Sequence, residues 1–355
     1  KEKLNHFQPR EKKKGIEVVL QHINRKCVQI KTVDRINNNK ILYSVLNEFL
    51  DKMSSCNKLF SNLKPRLEYL GSYFDGLRVG SPTEYDINII LTLPINYKKE
   101  NKGFEDAELW CNKDHLLSVA RFRSWMQKVV DATLNTLTII NDTRVLIINN
   151  VIYRIEAKTS GPAITLIITE SNKNVIDVDL VPTLVFHLPK IPCETTIDFE
   201  KVQCTKISQY FVVPKPINDN VSWRLAFPFQ ERHFLYNRQN MKSVIKLLKL
   251  LRDVQGFDKL ASYFIKTIFL WEAIKTTNEF WTSNSLSFLV LHMLKILKEC
   301  LMKRNINNFW CLEHNLLEKI KVETCLNWAN RITHIINIME KPDEDPKNII
   351  KFFIK

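Results

Sequence analysis

Glycine is scarce in this chain, seven among 355 residues, and neither a repeat nor a low-complexity linker interrupts it. With ordinary apolar content, that makes a globular protein with much helix, long enough to bury one large or two smaller cores. No apolar run approaches the ~18 residues of a membrane span, so no membrane association is expected. The charged stretch from Lys1 to Lys14 lacks the apolar stretch of a signal peptide. Position 1 is not methionine, which leaves a longer N-terminus open. The eight cysteines contain no C-x-x-C pair and no regular spacing. In the cytoplasmic setting expected here they are reduced, small buried hydrophobes. Negative charge is also short: 38 acidic against 52 basic side chains, net +14, which points to a polyanionic partner. No Ser-His or Cys-His constellation stands out as a nucleophile.

Against those absences, one stretch is chemically dense. Gly71-Ser72 follows an apolar segment, and Glu84 and Asp86 follow within the run Tyr85 to Leu91. In a strand, residues two apart share a face, so Glu84 and Asp86 project together while Tyr85 and Ile87 face the other way. Two such carboxylates at ~4 Å repel by roughly 4 kcal/mol at an effective dielectric of about 20. A divalent cation offsets that best, and Mg²⁺ is held by one or two carboxylates together with substrate phosphates. Gly71 permits close backbone approach and Ser72 offers a hydroxyl and an N–H to a phosphate oxygen. A third acid lies downstream, where Asp177 and Asp179 sit two apart in Val175 to Val181.

The pattern Gly-Ser-Tyr-x-x-Gly-x-x-Val-x-x-Pro-x-Glu-Tyr-Asp-Ile at 71–87 resembles the cyclic GMP-AMP synthase-like nucleotidyltransferases. The likeness continues at Ser160 to Leu166, Trp223-Arg224-Leu225 and Ala261 to Thr267, covering roughly residues 60–275. It implies a polymerase-β-type catalytic fold, with Asp179 as third acid beside Glu84 and Asp86. The metal would be Mg²⁺, with Mn²⁺ as the alternative ion. It further implies that Lys246 binds a triphosphate, Tyr263 stacks on a base, Ser262 contacts phosphate and Arg224 contacts a base. Vertebrate DNA sensors of the family carry a zinc-binding insertion between the Trp-Arg-Leu segment and the Lys246 helix. Thr205 through Glu299 holds no cysteine, so no structural zinc is expected. Leu70, Ala226 and Pro228 also replace the hydroxyl residues of those sensors, which leaves base selection and linkage open.

The fold class expected is α+β: a twisted mixed sheet with a long N-terminal helix, followed by an all-helical C-terminal lobe. The divisions are a basic arm over 1–14, a catalytic lobe over 15–200 and a helical lobe over 201–355. Ile41, Leu42, Val45, Leu46, Phe49, Leu50 and Met53 recur at helical spacing, extending the helix to about Ser61-Asn62; a short one precedes it at Ile16 to Ile23. Strands are expected at 66–71, 84–93, 144–157, 163–170 and 174–186, with Pro182 ending or bulging the last. Asn96 to Asn112 is expected as loop, and Asp114 as the cap of a helix to Leu137. Helices are further expected at Lys242–Val254, Phe257–Lys275, Leu286–Lys303, Leu312–Ile320 and Cys325–Met339.

The resemblance implies an innate immune enzyme that joins ATP and GTP into a cyclic dinucleotide, cyclic GMP-AMP. Relatives without the zinc insertion include sensors of double-stranded RNA, which is read by shape and by phosphate and 2′-OH contacts. RNA is therefore the expected activator ahead of DNA, bound by Arg25, Lys26, Lys40, Lys242 and Lys249, with a dimer on the activator open. Two alternatives stand: a catalytically silent interaction module, and an enzyme making linear oligoadenylate.

Overall fold

Two-residue alternation along Glu84–Leu91, with Tyr85, Ile87 and Ile89 buried, sets one face of a strand against a core and leaves the acids on the other. A computed structural model describes residues 9–30, 32–80, 83–93, 105–160, 163–170, 174–188, 207–215, 220–341 and 345–354. In chain order the strands are β1 (Arg66–Leu70), β2 (Glu84–Leu91), β3 (Thr138–Ile140), β4 (Thr143–Ile148), β5 (Val151–Ser160), β6 (Ala163–Glu170), β7 (Asn174–His187), β8 (Gln209–Val213) and β9 (Arg224–Ala226). They form one mixed sheet in the order β1-β2-β7-β6-β5-β4-β3, with β8 on the distal part of β7 and β9 on β8. Among the described strands only β2 and β7 run parallel.

The helices are α1 (Pro9–Ile23), α2 (Thr32–Cys56), α3 (Lys58–Asn62), α4 (Gly71–Phe74), α5 (Val119–Asn135), α6 (Pro228–Leu235), α7 (Gln239–Val254), α8 (Ser262–Lys275), α9 (Asn278–Ser283), α10 (Leu286–Met302) and α11 (Val322–Glu340). α2 and α5 cover the inner face of the sheet. Ile41, Leu42, Val45, Leu46, Phe49 and Met53 are buried there with Phe122, Met126, Val129 and Val130, as the helical period predicts. A second core joins α1, α7, α8, α10 and α11 through residues such as Leu20, Leu248, Phe269, Met293 and Ile332. Ile16, Leu20 and Ile23 belong to this second core, so α1 packs with the helical lobe although it opens the chain.

Several expectations are corrected. The basic arm is helical from Pro9, and residues 1–8 lie outside the described residues. The division at residue 200 also lies outside them, but β8 and β9 carry the sheet beyond it. The long helix stops at Cys56, where Asn57 turns extended and its side chain caps α3 by accepting from the Phe60 N–H at 2.9 Å. Ser118, not Asp114, caps α5; the Asn112 carboxamide instead folds the preceding turn by accepting from the N–H groups of Asp114 and Leu116. Of the expected 96–112 loop, Glu105–Trp110 forms a 3₁₀ turn and 96–104 lies outside the described residues.

The strand expected over 144–157 is a hairpin turning on Asn149-Asn150, both at positive φ, a conformation asparagine tolerates. β7 runs through Pro182, which pairs with Ile89 of β2. On its other flank β6 ends at the Ile164–Leu180 pair and β8 begins at Leu184, so the missing N–H falls in the gap between partners. Leu312–Ile320 is turns rather than helix. The Asn315 carboxamide takes the N–H groups of Ile306 and Leu317, and the Arg304 guanidinium takes the Ile320 carbonyl. Among the described helices, none is long and apolar enough to cross a membrane.

Candidate functional site

The parallel pairing of β2 with β7 sets Asp86 beside Asp179 and Glu84 beside Asp177. On the far side Thr165 of β6 pairs with Asp179 and donates its hydroxyl to Oδ1 at 2.5 Å. On the near side β1 brings Leu70 opposite Asp86, so the chain enters the Gly-Ser loop directly over that carboxylate. Gly71 has φ +78°, and a Cβ placed there would stand 2.3 Å from Asp86 Oδ2. This is the position in the loop where both backbone conformation and space demand glycine.

Asp86 opens into a cleft of about 450 Å³ also lined by Gly71, Ser72, Arg224, Ser262 and Tyr263. The sequence placed all six at the site, and the fold gathers them around one cavity from β1–α4, β2, β9 and α8. Burial pushes the Asp86 carboxyl up, and the negative charges of Asp179 and Glu84 push it further, with Arg78 opposing. Glu84, exposed like Asp86, pairs with the Arg78 guanidinium at 3.1 Å. Asp177 is also exposed, one register step out from the Asp86–Asp179 pair. Among the described residues, no three His, Cys, Asp or Glu side chains gather closely enough to hold an ion. The donor set nevertheless suits a hard, oxygen-preferring divalent cation. Asp86 and Asp179 are register partners on adjacent strands, and the lack of a Cβ at Gly71 gives the Asp86 carboxylate the room it occupies. The cysteines at 27, 56, 111, 300, 311 and 325 are free thiols.

Tyr263 is fixed by its phenol donating to Glu231 Oε1 at 3.2 Å. Burial, then the Glu231 charge, push that phenol far above its ordinary range. The Ser262 hydroxyl accepts from Arg252 Nη1 at 2.6 Å, a partner sequence reasoning missed. Lys246 is half-buried on α7 but does not line the cleft; burial, then the Lys242 charge, lower its ammonium.

The residues assigned to nucleic acid divide. Arg25, Lys26 and Lys40 are exposed. Arg25 and Lys26 ride a π-turn (Asn24–Val28) joined to the start of α7 by Asn24 donating to Ser243 at 3.3 Å. Lys242 is half-buried and faces Gly76. Lys249 is not on an outer ridge: it is 7 % exposed, lines the cleft and donates to the Leu77 carbonyl at 2.8 Å. Its helix turns it inward, where it ties α7 to the end of the Gly-Ser loop.

Burial, then the Arg252 charge, bring the Lys249 ammonium from its ordinary value near 10.5 down to about 8. The unfolded chain therefore holds this proton to higher pH than the folded protein. The penalty is full below pH 8 and is relieved as pH rises from about 8 to 10.5. Relative to Lys249→Met, the native protein is expected to gain ~3 kcal/mol of stability across that window. Urea melts of both proteins at pH 7.5 and 10.5 check this; parallel curves would refute it.

Residues 73–237 match the family model of the Mab-21 protein nucleotidyltransferase domain. Residues 240–334 match that of the Mab-21 protein HhH/H2TH-like domain. The mixed sheet, the acids on its open face and these two matches define a nucleotidyltransferase, a class that generally works with divalent metals. The chain is 32% identical to a cyclic GMP-AMP synthase-like receptor of Aethina tumida, over 96% of this chain and 91% of that protein. It is 31% identical to one of Tribolium castaneum over 96% and 92%, and 29% to one of Nicrophorus vespilloides over 95% and 97%. The chain belongs to the cyclic GMP-AMP synthase-like receptors.

Proposed function

We propose that this nucleotidyltransferase is an innate immune sensor that joins ATP and GTP into a cyclic dinucleotide, cyclic GMP-AMP, when double-stranded RNA binds it. The observation that carries the reading is Asp86 lying under the glycine of the Gly-Ser loop, beside Asp179 in the β2–β7 register, in a cleft also lined by Tyr263 and Arg224, although Asp179 and Glu84 are not among its lining residues. Glu84, Asp86 and Asp179 would hold the Mg²⁺ ions. When bound, such ions neutralise the triphosphate and leaving pyrophosphate and lower the pKa of the attacking ribose hydroxyl. Glu84 must exchange its Arg78 partner for that role. Ser72 orients phosphate through its hydroxyl and N–H. Ser262, with Arg252 behind it, presents a second polar contact. The Tyr263 ring, its phenol anchored, offers a flat surface to a base, and the planar Arg224 guanidinium can stack on or donate to another.

The activator surface supported best is the Arg25–Lys26 turn at the start of α7, with Lys40 on α2. Exposed cations of this kind bind phosphates with strong salt dependence, a slope of about −0.9 per phosphate contact on B-DNA. Purified protein with Mg²⁺ and labelled ATP and GTP is expected to form cyclic product with duplex RNA and much less with DNA of equal length. Arg25→Glu with Lys26→Glu should weaken RNA binding at least tenfold and flatten the salt slope by about two contacts. A linear oligoadenylate product, equal activation by DNA or salt-independent binding would each reject the corresponding part of the reading.

A further inference from the structure

We propose that Lys266 is a positioning residue that sets the spacing between the two walls of the cleft, tying the Gly71–Ser72 loop to the helix that presents Ser262 and Tyr263. The inference rests on that cleft being the nucleotide site.

The Lys266 ammonium lies 3.0 Å from Asp75 Oδ2 and 2.7 Å from Glu231 Oε2. The three side chains are 14 %, 6 % and 9 % exposed. Asp75 closes the Gly-Ser loop: its N–H donates to the Gly71 carbonyl. Its other oxygen accepts from Arg232 Nε at 3.0 Å, and Arg232 Nη2 donates to the Tyr69 carbonyl at 2.9 Å. Glu231 uses its second oxygen to accept from the Tyr263 phenol and from Trp310 Nε1 at 2.9 Å. Lys266 thus touches the acid that braces the phosphate loop and the acid that orients the tyrosine, while standing one helical turn beyond that tyrosine on α8.

The charges balance: Asp75 and Glu231 against Lys266 and Arg232. Burial alone would push the Lys266 ammonium down, but Glu231 and then Asp75 outweigh it and hold the group above its ordinary range. Buried ion pairs add little stability over well-packed apolar side chains. What they supply is direction, because an ammonium between two carboxylates fixes both distances. The walls here come from segments far apart in sequence, and transfer between two nucleotides depends on their alignment, where a displacement of ~1 Å can cost about a hundredfold in rate.

Lys266→Met is expected to lower kcat per folded molecule about a hundredfold, and Lys266→Arg to recover most of that loss. Native turnover in Lys266→Met, or a loss accounted for by unfolded protein alone, overturns the proposal. Should Lys266→Met fail to fold, a cycle of Asp75→Asn and Glu231→Gln decides. Both act through one ammonium, so their effects on kcat should fall short of additivity by at least tenfold; additive effects overturn it. Amide exchange separates this inference from the functional reading. Glu231→Gln should speed exchange in residues 71–77 without any nucleotide present. If the native protein makes no nucleotide product, the functional reading fails, and unchanged exchange in 71–77 would still overturn the mechanical link.

Discussion

Asp86→Asn combined with Asp179→Asn is expected to reduce nucleotide transfer by at least about a thousandfold while the melting temperature holds or rises. Metal stabilisation of a transferring phosphoryl group is worth several kcal/mol, and each ~1.4 kcal/mol is tenfold in rate. The stability half of the prediction has its own cause. Asp86 is pushed up by partial desolvation and by two neighbouring carboxylates, but the residue still exposes surface, so solvent screens much of the cost of its ionised form and its removal should not destabilise the fold. The cost fades as pH falls from the raised pKa to the ordinary carboxylate value; an asparagine removes it at every pH. The Thr165 hydroxyl still finds an amide oxygen at position 179. A product assay and a thermal melt on one preparation check both halves. Turnover near the native rate would remove Asp86 and Asp179 from the chemistry, and a large fall in melting temperature would mean the pair is structural.

Gly71→Ala is the second large effect. The added methyl must stand 2.3 Å from Asp86 Oδ2 and 2.8 Å from its Cβ, on a backbone at φ +78°. A non-glycine residue at such φ costs roughly 1–2 kcal/mol, a modest fraction of a domain's stability. The greater harm is local: the loop must lift or the carboxylate must rotate, and either changes the spacing between Ser72 and Asp86 on which the proposed transfer depends. We expect kcat to fall about a hundredfold with the protein still folded. Gly76→Ala makes the control. It shares the positive φ, but its Cβ would meet only the end of Lys242 at 3.8 Å, so it should carry the backbone cost without the loss of turnover. Equal kcat losses in both variants would show that strain, not the approach to Asp86, makes the glycine necessary.

The acids and the Gly-Ser loop were legible because their signals are local. Alternation puts Glu84 and Asp86 on one face whatever the rest of the chain does; on β7 it puts Asp177 and Asp179 on one face alike, and only the family resemblance singled out Asp179. What local pattern cannot express is which cation of a helix faces inward. Lys242, Lys246, Lys249 and Arg252 all look like a solvated stripe on α7. Only the packed lobes reveal that Lys249 meets the Leu77 carbonyl and Arg252 the Ser262 hydroxyl. The Asp75–Lys266–Glu231 set is invisible for the same reason, its members being distant in sequence and unremarkable in type. The misplaced ends of α2 and α5 have a different cause: short polar side chains cap locally, so Asn57 ends α2 by starting α3, and Ser118 takes the cap of α5 expected at Asp114.

Because β2 and β7 run parallel, no hairpin can bring them together. The whole β3–β6 meander and α5 lie between them in the chain. A chain emerging from the ribosome therefore holds Asp86 without its partner until synthesis has passed Asp179, and a product truncated anywhere within the meander exposes the paired edge of β2. Long-range pairings of this kind form slowly. The same unpaired strand, rich in Ile87, Ile89, Ile90 and Leu91, is then the segment most open to intermolecular pairing. Glu84 and Asp86, placed at its exposed beginning, add the like-charge repulsion that opposes such stacking while the chain waits for β7.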